Sequence, residues 1–416
     1  MTKVTVFSAL CGSGKTNKMI QMMAESSNNI IYVTPLLSEC HRIAGTSYDE
    51  NDVYKRPLMV SDDEYYYDET NPLKNKRFRH PTNSKGETKL SDAMTLIENG
   101  YNIVSTHSLF SNFTPSIANV IQEKEYTLFL DEVVSIYEPA TDILDINECK
   151  QLIKSNVLSV DADGITLRFN NEKIAYTENT RFDTISNLCA LGQLLIIDEK
   201  IVLWEFPVDI IKSFKEIYIS TYMFEGSQLC AFLKSNGIDY TVEKFGLLPS
   251  QLKDKITIVD DRKMNEVGDK VTALSAADLV TKKHSNNELR KRLLNFFNNI
   301  TKANKNERLW TTFKQAMRVI SGGRYSASWL SYNTKATNDY SDTWAIAYLL
   351  NLFHNPMIEK ALCYKNVQIN EKMYALSELI QFIFRSRIRN GEPITVYIPS
   401  KRMRDLFISW LNDEFE

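Results

Sequence analysis

Lys3-Val-Thr-Val-Phe-Ser8 followed by Ala9-Leu-Cys-Gly12-Ser13-Gly14-Lys15-Thr16 is the stretch on which the fold turns. Residues 3–8 read as a strand, and a helical pattern starts at about Gly14. Between them lies a loop close to G-x-x-x-x-G-K-[ST], with Ala9 in place of the first glycine. Gly12 and Gly14 let backbone N–H groups around Ser13 turn towards phosphate oxygens. The following helix start adds partial positive charge at the same place. Lys15 can reach the β- and γ-phosphates of a nucleotide such as ATP, and the Thr16 hydroxyl can sit on Mg²⁺. A ligand-free glycine-rich turn is the bland alternative, and the strand–loop–helix context speaks against it.

A phosphate loop of this kind needs an acidic strand end. Leu128-Phe-Leu130-Asp131-Glu132 supplies an apolar strand and two carboxylates at its carboxyl end, where α/β sheets place their ligands. Asp131 is then expected in the Mg²⁺ shell, and Glu132 is expected to orient and deprotonate an attacking water.

Outward from these motifs, apolar runs alternate with helical patterns. KVTVFS (3–8), NIIYVTP (29–35), NIVSTH (102–107), YTLFLDE (126–132) and EIYIST (216–221) are expected strands of the first half. Near-continuous apolar strands separated by helices mean a parallel sheet buried on both faces. ITLRF (165–169), KIAY (173–176) and the hairpin LLIIDEKIVLWEF (194–206) read as a locally antiparallel insertion at about 157–206. Residues 46–90 are polar and irregular and read as a long loop or a disordered insertion. KITIVD (255–260), RLWTTF (308–313), SWLSYN (328–333) and ITVYIP (394–399) are the strands expected of the second half, with a helix over 287–300. The expectation is an α/β chain of two lobes, residues 1–240 and 241–416.

Composition agrees with a globular protein: 43% hydrophobic and 24% charged residues. No apolar run approaches the ~18–20 residues that span a bilayer, and residues 1–16 lack the pattern of a secretory leader. The expected location is the cytoplasm, that of a host cell if the chain is phage-encoded, with no membrane partner. The net charge of −3 is unevenly divided. Residues 241–416 carry 27 Lys and Arg against 19 Asp and Glu, leaving 22 against 33 for residues 1–240. A basic half suits a polyanion; the acidic excess concentrates at 49–69. Six cysteines form no C-x-x-C pair and the five histidines are scattered, so neither a zinc site nor a Cys/His nucleophile is expected.

The order of motifs resembles that of superfamily 2 helicases and translocases, of the phage-encoded helicase-like ATPase kind. IIYVTPLLSE (30–39) resembles the first nucleic-acid-contacting motif, and NIVSTHSLF (102–110) the strand-end T-x-H segment. Asp131-Glu132-Val133-Val134 stands for DEAD or DEAH, and Ser220-Thr221-Tyr222 for S-A-T. LWTTFK (309–314) resembles the first strand motif of the second lobe. Ser331-Tyr-Asn-Thr-Lys-Ala336-Thr-Asn338 resembles T-x-x-x-x-G-I-D, and Gln381-Phe-Ile-Phe-Arg385-Ser-Arg387-Ile-Arg389 resembles Q-x-x-G-R-x-x-R. The resemblance spans residues 3 to about 400.

What it implies is two RecA-like parallel-sheet lobes, a nucleotide cleft between them and a small β-rich insertion in the first lobe. Gln381, Arg385 and Arg389 would join Glu132 in hydrolysis, and Pro35, Thr106, His107, Thr312 and Ser331 would contact nucleic acid, DNA ahead of RNA. The family's second arginine would fall on Ile388, so either Arg387 or Arg389 takes that role or it is absent. Arg389 is preferred because residues four apart share a helical face. A strand beginning at Lys3 leaves no room for the adenine-reading glutamine motif. The implied activity is ATP-dependent unwinding or translocation in replication, recombination or repair of a phage genome, with a replication or recombination protein as a candidate partner of the 157–206 insertion. Alternatives are a viral DNA-packaging ATPase, whose second lobe would be a nuclease, and a remodelling ATPase that does not unwind. Trp310 and Trp329, in apolar strands, are expected in the core rather than stacked on bases.

Overall fold

Strands such as Ile30–Thr34, apolar at almost every position, need cover on both faces, and parallel sheets flanked by helices provide it. This is what the computed structural model contains; it describes residues 2–44, 72–73, 75–83, 88–170, 181–281, 283–334 and 339–415. The chain forms two compact units. The first comprises Met1–Ser8, Lys15–Lys244 and Asn355–Ile369. The second comprises Ala9–Gly14, Phe245–His354 and Asn370–Glu416.

In chain order the strands of the first unit are β1 (Lys3–Ser8), β2 (Ile30–Thr34), β3 (Ile103–Thr106), β4 (Thr127–Asp131), β5 (Tyr137–Pro139), β6 (Leu158–Val160), β7 (Leu167–Phe169), β8 (Leu194–Ile197), β9 (Ile201–Glu205), β10 (Glu216–Thr221) and β11 (Tyr240–Lys244). Its main sheet has the order β11-β1-β10-β4-β2-β3, and every neighbouring pair is parallel. All carboxyl ends therefore lie along one edge. Ser8 is in register with Thr221, and Ser220 with Asp131. The helix Lys15–Glu25 buries Lys15, Met19, Ile20 and Met23, which recur at helical spacing.

Among the described residues, the insertion holds two small antiparallel sheets, β5-β9-β8 and β6-β7. It has its own core, including Leu144, Cys149, Leu167, Ile185, Leu194 and Val202. The 194–206 hairpin forms as expected. The insertion starts earlier than 157, however, at β5 and the helix Ile146–Lys154, and the partner of β7 is β6. The KIAY strand expected at 173–176 lies outside the described residues, as does the acidic stretch at 49–69.

The division at residue 240 needs a correction. Helix Pro356–Tyr364, from the later half of the sequence, belongs to the first unit, where Ile358, Ala361 and Leu362 enter the main core. Burial of these three side chains outweighs chain order. Lys365 secures the segment. Its ammonium donates to both carboxylate oxygens of the buried Glu205 at 2.5 Å, and Tyr137 Oη donates to the same carboxylate at 2.7 Å. Lys360 and Tyr364 both reach Asp198 at the β8–β9 turn.

Among its described residues, the second unit has a four-stranded parallel sheet, with β12 (Ile256–Ile258), β13 (Arg308–Thr311), β14 (Ala345–Tyr348) and β15 (Ile394–Tyr397) in the order β12-β15-β14-β13. SWLSYN is not a strand. Ser326–Ser328 is a 3-10 turn and Trp329 makes a single bridge to Trp310. The central strand is instead Ala345–Tyr348, fully buried. Trp310 is in the core, with its indole N–H donating to Tyr325 O at 2.8 Å. The helix expected over 287–300 is α-helical at Lys283–Asn295 and closes as a π-turn at Phe296–Ile300.

Lys365→Met should destabilise the first unit by about 3 kcal/mol, because it leaves the Glu205 carboxylate buried without its cation. Equilibrium denaturation of the variant beside a Glu205→Gln/Lys365→Met double variant checks this. The double variant should recover part of the loss.

Candidate nucleotide site

The first unit assembles four of the sequence-selected residues at the carboxyl edge of its main sheet. Lys15 begins its helix and is buried, and its charge acts on Asp131 at the end of β4. Asp131 sits among other acids. Burial first, and then Glu132 and Glu39, raise its pKa to about 7, against the opposing pull of Lys15 and a hydrogen bond from Tyr32. Tyr32 Oη donates to Asp131 Oδ2 at 3.3 Å. His107 Nε2–H donates to the Asp131 carbonyl at 2.9 Å, tying the end of β3 to that of β4.

Glu132 turns the chain sharply, at φ 60°. For a side-chain-bearing residue this left-handed conformation is costly and is kept where surrounding contacts fix it. Two contacts do so here: its N–H donates to Ser220 O at 2.8 Å, and its Oε2 accepts from the Thr221 hydroxyl at 2.9 Å. Both partners come from the end of β10, between β1 and β4. The S-A-T-like segment therefore positions the second acid of the D-E pair. Neither Tyr32 nor Thr221 stands out as a site residue in the sequence. The signal available was the position of Thr221 at a strand end that pairs with both motif-bearing strands.

Thr16 is half-buried one residue after Lys15. A hydroxyl and a carboxylate crowded by further carboxylates are hard oxygen donors suited to Mg²⁺, so the residues fit that ion. Bound there, it would offset the negative charge gathered on Asp131 and Glu132 and neutralise phosphate oxygens.

The glycine-rich loop Ala9–Gly14, the expected phosphate loop, groups with the second unit. Gly12 and Gly14 have φ of 83° and 80°, and Ser13 N–H donates to Leu10 O at 3.2 Å. A methyl group on Gly12 would come within 3.1 Å of Arg389 Cγ and 3.6 Å of the Arg389 carbonyl. Arg389 therefore lies against the loop, in the 3-10 turn Arg387–Asn390. Arg387 is held elsewhere, donating to Pro393 O at 2.6 Å beside the Trp344 ring. The helical-face argument that favoured Arg389 is corrected, because the helix Glu371–Ile383 ends before all three arginines. Arg385 is buried and donates to Tyr332 O at 3.2 Å. Gln381, on the last turn of the helix, donates to Ser377 Oγ at 3.3 Å.

The expected nucleic-acid contacts have diverse surroundings. Thr312 is fully buried and its hydroxyl donates to Leu349 O at 3.1 Å, so its side chain ties two strand ends and offers nothing to a nucleic acid. That expectation is corrected. The Thr106 hydroxyl caps the short helix His107–Phe110. Pro35 follows β2, half-buried, and the half-buried Ser331 bonds to Asn333 Oδ1 at 2.6 Å. Residues 335–338 of the T-x-x-x-x-G-I-D-like segment lie outside the described residues.

Asp131 also fixes a pH dependence. Its pKa is raised on folding, from the model-peptide range to about 7. The folded chain thus binds more protons than the unfolded one between about pH 4 and 7, and stability contributed by this group is lost as pH rises through that window. Thermal unfolding without divalent cation should therefore show Asp131→Asn more stable than the parent at pH 8, with the difference vanishing near pH 4.

Similarity to known proteins follows this architecture. Residues 250–411 match the family described as YonV C-terminal Rossmann-like domain. The solved structure "XPD_Helicase" superposes with a TM-score of 0.52 over 99% of this chain and 95% of that one, at 12% identity, which shows a shared fold. A second, "Structure of S. tokodaii Xpd4", gives a TM-score of 0.47 at 10% identity over 98% and 94% of the two chains. The chain is also 32% identical, over the full length of both, to the Bacillus subtilis (strain 168) "SPbeta prophage-derived uncharacterized protein YonV". Two RecA-like lobes and end-to-end sequence similarity place this chain in the YonV family.

Proposed function

We propose that this chain is an Mg²⁺-dependent NTP hydrolase, ATP being the expected nucleotide, that moves along or unwinds nucleic acid. The observation that carries the reading is the arrangement at the sheet edge: Lys15 acting on Asp131, and Glu132 held by Thr221 on the strand between theirs. Thr16 and Asp131 would hold the cation. Glu132 would accept a proton from the attacking water, its carboxylate oriented by the Thr221 hydroxyl. Phosphoryl transfer is mostly positioning and charge stabilisation. Gln381, Arg385 and Arg389 are the candidates for completing that charge environment, with Arg389 supported by its place against Gly12.

Helicase or translocase action on DNA in a phage setting is supported by the fold shared with an XPD helicase and by a prophage-derived relative. Pro35, Thr106, His107 and Ser331 remain the candidate nucleic-acid contacts. The insertion, with its own core, is the proposed site for a replication or recombination partner. A packaging motor with a nuclease lobe is less well supported: among the described residues no group of three or more His, Cys, Asp or Glu is placed to hold a metal ion. No helix of the described residues is long and apolar enough to cross a membrane.

Nucleotide hydrolysis measured with and without single-stranded DNA, duplex DNA, forks and RNA, beside strand displacement, tests the reading. Glu132→Gln should retain Mg-nucleotide binding while losing turnover, and Lys15→Ala should lose both. Unchanged turnover in folded Lys15→Ala would remove the phosphate-loop assignment. Affinity for a single strand should fall with salt, with a slope of roughly −0.7 per phosphate contact.

Arg389→Ala should slow hydrolysis far more than Arg387→Ala, with ~10³–10⁵-fold as the upper guide for an arginine finger. Equal single-turnover rates for the two variants would place the finger elsewhere.

A further inference from the structure

We infer that residues 245–248 form the nucleobase-side wall of the nucleotide site, and that they hold the base by apolar contact without reading its identity. The inference deepens the nucleotide-hydrolase reading and rests on it. Its starting point is the pairing of β1 with β11, which puts Ser8 in register with Lys244. The first chain continues into the phosphate loop and the second into Phe245-Gly246-Leu247-Leu248.

Within the second unit these two segments touch. A methyl group on Gly246 would fall 2.8 Å from Ser13 Oγ, 3.0 Å from Ser13 Cβ and 3.8 Å from Ala9 Cβ. Such approaches to a short side chain leave little room to yield. Gly246 also has φ 93°, where other residues are strained. The glycine thus lets the segment lie directly on the phosphate loop.

Next along the chain, Leu247 and Leu248 are 58% and 59% exposed. They are not on a loose tail. Leu248 N–H donates to Gln251 Oε1 at 2.9 Å, Pro249 opens the 3-10 helix Pro249–Lys255, and Ser250 N–H donates to Asp413 Oδ1 at 3.3 Å. Two leucines on a braced backbone, one residue from the contact with Ser13, form an apolar surface beside the place where a triphosphate would bind. A nucleotide held by its phosphates on Ala9–Gly14 carries its base one ribose beyond the α-phosphate, and the flat face of that base is the occupant this apolar surface suits.

Contact of this kind is tolerant, since every base has a π-face. Strong discrimination requires polar groups that a wrong base would leave unpaired, and leucine side chains have none. The wall should therefore strengthen binding of all four nucleoside triphosphates.

Equilibrium binding of ATP, GTP, CTP, UTP and inorganic tripolyphosphate to the full chain with Mg²⁺ tests the wall. The parent should bind all four nucleotides within about tenfold of one another and each more tightly than tripolyphosphate. Leu247→Ser/Leu248→Ser should weaken the nucleotides by about tenfold, the loss expected for ~60 Å² of apolar contact, and leave tripolyphosphate unchanged. Gly246→Ala should weaken nucleotides and tripolyphosphate alike, because its methyl group displaces Ser13. Circular dichroism and thermal unfolding verify that the variants are folded. Nucleotide affinity unchanged in the leucine double variant, a parent selective for one base by far more than tenfold, or tripolyphosphate affinity unchanged in folded Gly246→Ala each overturn the wall while the nucleotide reading stands. A parent that binds neither nucleotides nor tripolyphosphate overturns both.

Discussion

A parallel sheet brings every strand's carboxyl end to one edge, and a carboxylate set at that edge must be held against its own repulsion and desolvation. Asp131 is that carboxylate. Lys15 from the helix after β1, Tyr32 from β2, and His107 after β3 converge on it, one by charge, one by its phenol and one through the Asp131 carbonyl. Burial and the neighbouring acids still leave it far more basic than a solvated aspartate. Negative charge gathered there is costly, because burial withholds the water that would solvate it.

Glu132 expresses the same trade in the backbone. Its left-handed conformation is unfavourable locally, yet contacts from β10 to its amide and carboxylate hold it. Strain of this kind persists only where the surrounding structure over-determines it. The strand carrying Ser220 and Thr221 lies between the strands carrying the phosphate loop and the acidic pair, so one register error would separate all three motifs. Parallel pairing with buried faces makes that register strongly specified.

The insertion and the helix Pro356–Tyr364 show a different principle. Residues distant in sequence join the first unit because apolar side chains there fill its core and because Lys365 neutralises Glu205. Removing a buried carboxylate's partner is costly, so this contact also fixes which unit the segment belongs to. No local pattern in residues 355–369 distinguishes them from an ordinary second-lobe helix.

The strands β1, β2, β3, β4 and β10, the glycine-rich turn after β1 and the two acids that end β4 are legible in sequence because each is a local pattern: an apolar run, glycines before Lys-Thr, acids at a strand end. SWLSYN resembles a strand for the same local reason, since its aromatic and apolar residues mimic one. The true central strand, AIAY, is short and flanked by apolar residues on one side, so its limits are set only by pairing with β13 and β15. Thr312 looked available at a strand end, but the Leu349 carbonyl took its hydroxyl. The arginine segment looked helical, but the chain leaves the helix at Ile383, and only that turn decides that Arg389 meets Gly12 while Arg387 meets Pro393. Sequence alone determined the chemistry of the strand ends, because residue type and spacing carry it. Tertiary structure alone decided which partners hold those groups, because hydrogen-bond and ion-pair partners come from strands and turns far apart along the chain.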